Sequence, residues 1–171
     1  GGFLFRVVPS DAQQAVALKD VVVDAGMSSP GVLYMTNDYG SGLADNFEAA
    51  WSGSLCTKAG YDPASFDAST LVAQLASCDS VVLVSYATDG AALVEAIAVD
   101  STVNVQIFGA DGVADLPFQE AFSDNSTLDG MVATKPRPAG TSDMGTYFTG
   151  AYANASGNTS GIYTHETFDA V

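Results

Sequence analysis

The chain has 171 residues, 47% of them hydrophobic, which is enough apolar material for one well-packed domain and too little for two. Acidic residues outnumber basic ones 20 to 5, for a formal charge of −15. A phosphate backbone would be repelled, so nucleic acid is excluded as a partner. No apolar run reaches membrane-spanning length; the longest, such as VVLV at 81–84, are strand-sized.

The chain opens on GGFLFRVV, and residues 3–8 read as a strand with no leader ahead of it, so further sequence upstream is expected. Ser10 and Gln13 form an S-x-x-Q capping box for a helix running to about Ala25, with Ala15, Leu18 and Val22 on one face. Residues 31–35 (GVLYM) read as the next strand. The stretch NDYGSG at 37–42 follows as a turn, in which Gly40 and Gly42 would let the backbone bend around Tyr39. Leu43, Phe47 and Ala50 then mark a helix.

Strand signals follow at 54–59 (SLCTKA), 80–85 (SVVLVS), 103–108 (VNVQIF) and 128–134 (LDGMVAT). Between them lie helical stripes: Leu71, Val72, Leu75 and Ala76; Ala92, Leu93, Ala96 and Ile97; and a short one with Phe118, Ala121 and Phe122. Met144, Phe148 and Tyr152 line the last full helix, and SGNTSG at 156–161 reads as a loop. From the second strand onward the strand signals recur about every 25 residues, the length of a βα unit. Strands alternating with amphipathic helices predict an α/β fold: a Rossmann-like three-layer domain whose mostly parallel, doubly wound sheet is covered on both faces.

In such sheets ligands bind outside the carboxyl ends of the strands. The residues just past each strand are therefore the candidates. They are Tyr39 in NDYGSG; Tyr86, Thr88 and Asp89 in YATDG; Asp111 in GADGVAD; and Lys135 and Arg137 in KPRP. Two tyrosines and one carboxylate on a common rim would seat a small ammonium-bearing ligand: ring faces attract a cation, and the acid supplies a charge-assisted hydrogen bond. Tyr and Asp are also ordinary loop residues, and Asp-Gly is a common turn.

Enzyme signals are poor. Gly40-Ser41-Gly42 is not GxGxxG, because Asp45 stands where the third glycine belongs. Ser85 lies in LVSYA rather than in a nucleophile elbow. His165, the one histidine, lies in THETF and lacks the second histidine of HExxH. No zinc or EF-hand spacing exists, so no metal and no cofactor is expected. Asn125, Asn154 and Asn158 head N-x-[ST] triplets suited to exposed loops. Cys56 and Cys78 read either as two buried thiols or as one disulfide closing a loop of about twenty residues, worth roughly 2–4 kcal/mol.

The segments FRVVPSDAQQAVALKDVVVDAG, VLYMTNDYGSGLADNFEAA, YDPASFDASTLVAQLASCDSVVLVSYATDGAALVEAI and IFGADGVAD resemble the type I periplasmic binding proteins. The group they are most similar to is the Leu/Ile/Val-binding components of ABC transporters, and the likeness extends nearly end to end to GIYTHETFDAV. The resemblance implies the second of two Rossmann-like lobes that close over a ligand. Residues 1–10 would be the strand and hinge crossing from a first lobe that lies upstream. Residues 11–160 would be the second-lobe α/β domain, and 161–171 the start of a helix returning to the first lobe.

The resemblance also assigns roles. Tyr39 would supply the aromatic of the DYG turn, Tyr86 the aromatic after the next core strand, and Asp111 the acid that binds the ligand ammonium. Leu/Ile/Val binders often carry Glu at that last position, and a second aromatic where this chain has Ala87. The carboxylate-binding groups would belong to the first lobe. The implied protein is not an enzyme. It would bind amino acids or related small amines and amides by hinge closure, and deliver them to an ABC permease at the membrane. Its location would be periplasmic or extracellular, with a lipoprotein anchor as one option in the full-length protein. Export to an oxidising compartment favours the disulfide of the two cysteine readings. Two other readings stay open: the ligand-binding domain of a sensory receptor, and a flavodoxin-like or other Rossmann-type enzyme domain, which would need a phosphate-cradling turn.

Overall fold

A computed structural model describes residues 8–136, 143–158 and 164. Residues 3–7 of the predicted first strand, the returning segment 161–171 apart from residue 164, Arg137 and His165 lie outside these residues. The chain groups into two compact units, one of residues 11–134 and one of residues 1–10 with 135–171.

In the 11–134 unit, helix α1 (Asp11–Asp24) starts directly after Ser10 and buries Ala15, Leu18 and Val22, the stripe read from the sequence. Strand β1 (Pro30–Met35) leads into α2 (Asp38–Ala50), and β2 (Thr57–Tyr61) into α3 (Ala68–Val72), which tightens to a 3₁₀ turn over Ala73–Leu75. Strand β3 (Ser80–Val84) and α4 (Ala87–Val99) follow, then β4 (Gln106–Gly109), a 3₁₀ turn at Asp111–Val113 and α5 (Leu116–Glu120). A further 3₁₀ turn (Asn125–Leu128) precedes the short β5 (Val132–Ala133).

The five strands form one sheet in the order β2-β1-β3-β4-β5, and every pairing is parallel. Side chains alternate along each strand, so one strand feeds two cores. Val32, Val82, Val84 and Phe108 face α1 and α2, packing on Leu18, Leu43 and Phe47. Leu33, Met35, Val81 and Leu83 face the other way, against Leu71 of α3, Leu75 of the 3₁₀ turn that follows it, Leu93 of α4 and Phe118 of α5. The central β3 is buried along its whole length. The helices change face where the strand order reverses: from β1 the chain steps outward to β2, then back past β1 to β3. A right-handed crossover in the opposite direction must run over the opposite face.

Three strands are later and shorter than their sequence signals. The 54–59 run becomes 57–61, which leaves Cys56 just ahead of the strand, not on it as expected. The 103–108 run becomes 106–109 and the 128–134 run 132–133. The residues lost from the start of each run precede the point where the parallel ladder begins. There Cys56 N–H donates to the Pro30 carbonyl at 2.8 Å, and Gln106 N–H to that of Asp79 at 3.1 Å. Ala76, expected on a buried stripe, is exposed, because the helix has tightened to 3₁₀ by that point and its face has rotated.

Cys56 and Cys78 are joined by a disulfide, with Cα atoms 5.5 Å apart. Because β1 lies between β2 and β3, the bridge crosses β1 near its start at Gly31. A Cβ on Gly31 would stand 3.2 Å from Cys78 Sγ and 2.6 Å from Leu75 Cδ2. The unit of 1–10 and 135–171 contains α6 (Asp143–Ser156), on which the rings of Phe148 and Tyr152 meet one turn apart at 5.9 Å.

Candidate functional site

The reversal of strand order lies between β1 and β3, and the carboxyl ends of those two strands carry the two candidate tyrosines. At the end of β1 the chain is turned by Asn37, whose side-chain oxygen accepts the Gly40 N–H at 2.7 Å and so caps α2. The helix starts at Asp38, so Tyr39 stands on its first turn and not in a loop. This corrects the expectation of a 37–42 turn, and with it the purpose of the glycines. Neither Gly40 nor Gly42 adopts positive φ. Gly40 is required by proximity, since a Cβ there would lie 2.0 Å from the Met35 carbonyl oxygen. Gly42 is under no such constraint: its nearest contact would be Asp11 Oδ2 at 3.8 Å.

At the end of β3, Tyr86 is the residue before α4, and its backbone N–H donates to the carboxylate of Asp89 at 3.2 and 3.3 Å. Asp89 is itself buried and accepts the hydroxyl proton of Tyr61, whose phenol oxygen also lies 2.7 Å from Ser85 Oγ. Burial and the adjacent Asp89 carboxylate push the Tyr61 phenol well above its usual range, against a smaller downward pull from the Ser85 hydroxyl. Asp89, one of the strand-end candidates, therefore points inward and fixes the backbone beneath Tyr86. Thr88 is exposed on the first turn of α4.

Tyr39, Tyr86 and Asp111 come together. The two tyrosine rings stack nearly parallel, 7° apart in plane with centroids 5.3 Å apart. Tyr39 Oη donates to Asp111 Oδ1 at 2.8 Å and accepts the Gly112 N–H at 3.3 Å. Burial, then the negative Asp111 beside it, pushes the Tyr39 phenol far above its ordinary range, so it remains a proton donor across ordinary pH. Asp111 is 9% exposed, and Tyr86 is 50% exposed. The site thus grades from an open aromatic face to a sunken carboxylate. Lys135 belongs to the other unit.

Two participants escaped the sequence reading. Gln14, on the first turn of α1, donates from Nε2 to Asp111 Oδ1 at 2.9 Å. A polar residue four positions before the buried Leu18 sits on the apolar stripe of its helix, and that misplacement was the available signal. Gly112 was visible only as part of an Asp-Gly turn. Its role is close approach: a Cβ would lie 2.3 Å from the Ser85 carbonyl oxygen, 3.0 Å from the Tyr86 ring and 3.3 Å from Tyr39 Oη. Among the described residues no group of three His, Cys, Asp or Glu side chains could hold a metal ion, and no helix is long and apolar enough to cross a membrane.

No protein-family model matches the chain, and no curated protein matches it by sequence. Solved structures do match it. A leucine-binding protein from Thermotoga maritima superposes with a TM-score of 0.74 at 20% identity, over 91% of this chain and 46% of that one. A branched-chain amino acid transporter substrate-binding protein from Streptococcus pneumoniae, solved with isoleucine, gives 0.69 at 16%, over 90% and 45%. A substrate-binding periplasmic protein from Ralstonia solanacearum gives 0.72 at 18%, over 97% and 49%. The chain therefore spans less than half the length of the structures it resembles. Its all-parallel, doubly wound sheet between two helical layers has the fold of one lobe of the type I periplasmic binding proteins.

Proposed function

We propose that this chain is the second lobe of an extracytoplasmic solute-binding protein serving ABC-transporter uptake, with a branched-chain-like amino acid or a related small amine or amide as ligand. The observation that carries the proposal is the convergence of the stacked Tyr39–Tyr86 pair and Asp111 where the strand order reverses. An aromatic face beside a carboxylate suits an ammonium group, which gains both ring attraction and a charge-assisted hydrogen bond. In this reading residues 1–10 carry the crossing from a first lobe, 11–160 form the lobe, and 161–171 begin the return.

The mechanism follows from the geometry of a half-site. The ligand bridges this rim and a facing lobe that supplies the groups for its carboxylate. It makes the full set of contacts only when the two are closed, and so shifts the open–closed population toward closed. A membrane permease then reads the closed shape. No bond is made or broken.

A thermal-shift screen of the L-amino acids on the two-lobed gene product tests the proposal. A ligand at 100 times its Kd stabilises by about 2.7 kcal/mol, so at least one amino acid should raise the melting temperature clearly, and Asp111→Ala should remove that rise. The isolated 171-residue chain should bind the same amino acid weakly or not at all by calorimetry. Three results would count against the proposal: a screen with no response, an Asp111→Ala variant that responds like the parent, and micromolar binding by the chain alone.

A further inference from the structure

We infer that Gln14 is a positioning residue that aims the Asp111 carboxylate, and that it ties this acid to both ends of the 11–134 unit. The inference rests on the reading of Asp111 as the ammonium-binding group. It starts from the side-chain amide of Gln14, which is half-buried and has two directions to donate. One is Asp111 Oδ1 at 2.9 Å. The other is Thr134, whose carbonyl oxygen and Oγ1 both lie 3.4 Å from Nε2. Gln14 is on the first turn of the helix that opens this unit, and Thr134 is its last residue. One amide group thus touches the chain where it enters the unit, where it leaves it, and the acid at the centre of the candidate site.

The arrangement fixes the acid. Tyr39 Oη and Gln14 Nε2 both donate to the same oxygen, Oδ1, from helices α2 and α1. Two donors arriving from separate helices on one oxygen define the plane and tilt of a carboxylate more tightly than either could alone. A neutral amide does this without adding a charge of its own, whereas a lysine or arginine in the same place would bring a cation that competes for the acid.

The test compares Gln14→Leu, close in shape but without donors, with the parent two-lobed protein. L-leucine and L-isoleucine serve as calorimetric probes, and a crystal structure of each ligand-free protein is determined alongside. The Gln14–Asp111 bond exists before any ligand arrives, so Gln14→Leu should lower the ligand-free melting temperature by about a few degrees, and the acid left misaimed should in addition weaken amino-acid binding about tenfold. In the Asp111→Asn background the same substitution should cost less than about threefold, because Gln14 acts through Asp111. In the ligand-free crystal the Asp111 side chain should have turned away from Tyr39. Unchanged affinity, or an equal loss in both backgrounds, overturns the inference. So does an Asp111 that keeps its place in the Gln14→Leu crystal. If the parent protein binds neither probe, the proposed function loses support, while the ligand-free crystals still decide whether Gln14 holds the acid.

Discussion

At the scale of single residues, the site depends on what is missing from one position as much as on what is present at three. Gly112 lets the turn after β4 lie against the end of β3 so closely that a methyl group would meet the Ser85 carbonyl at 2.3 Å. The obstacle is backbone and cannot rotate aside. Gly112→Ala should therefore cost about 1–3 kcal/mol, the usual penalty for forcing atoms into a filled space. It should also separate Asp111 from Tyr39, since the backbone N–H that meets Tyr39 Oη belongs to Gly112 itself. Gly42→Ala is the matched control. That position is helical and its nearest contact would be an ordinary 3.8 Å, so the substitution should be neutral or stabilising by up to about 1 kcal/mol. Urea denaturation of the two variants measures both outcomes, and equal effects would show that the close approach at Gly112 is not what holds the rim together.

At the scale of elements, the hydrophobic period located every strand in the described sheet, most sharply β1 and β3, because a parallel strand buried on both faces must be written in apolar residues. Strand starts were less legible. Cys56 looked like strand because it continues an apolar run, yet the ladder begins one residue later, and nothing in the local sequence records where a neighbouring strand will start to pair. The candidate trio was legible for a topological reason: Tyr39, Tyr86 and Asp111 each follow a strand, and parallel strands put all such residues at one end. Gln14 was not, since it approaches from α1, an element with no strand end of its own, and only the packing of α1 over the sheet brings it to Asp111. The Cys56–Cys78 bridge is likewise an element-scale device. It clamps the segments feeding β2 and β3 across β1, closing a sequence separation of 22 residues. A loop of this size is worth roughly 3 kcal/mol, which for a chain this long corresponds to a melting temperature about 6–12 °C lower after reduction. Thiol titration of unfolded, unreduced protein should find no reactive thiol, and two would remove the clamp from the account.

At the scale of the whole molecule, the dominant fact is charge. The chain carries 20 acidic and 5 basic residues, and among the described residues the ion pairs are Lys19–Asp20, Lys58–Asp45 and Lys58–Glu48, the last two at 2.6 Å. Lys58 thus answers two carboxylates at once, and five cations cannot match twenty acids one for one. Some are occupied with backbone instead. Asp79 accepts the N–H groups of Ser28 and Ser29, and Asp67 and Asp124 cap helical turns. Those contacts settle local geometry but leave the net charge of −15 in place. Like charges on a folded surface repel, and unfolding moves them apart, so self-repulsion subtracts from stability until it is screened. Screening shortens the reach of each charge from about 30 Å at 0.01 M salt to about 3 Å at 1 M. The melting temperature should therefore climb by several degrees as sodium chloride is raised from 10 mM to 1 M, steeply below about 0.2 M, where the screening length falls through the spacing of neighbouring surface charges. A protein suited to a salty medium would show this dependence most strongly. A flat curve across that range would mean that the acids are spaced widely enough on the fold for their repulsion to contribute nothing, and the acidic composition would then say only that the protein stays in solution.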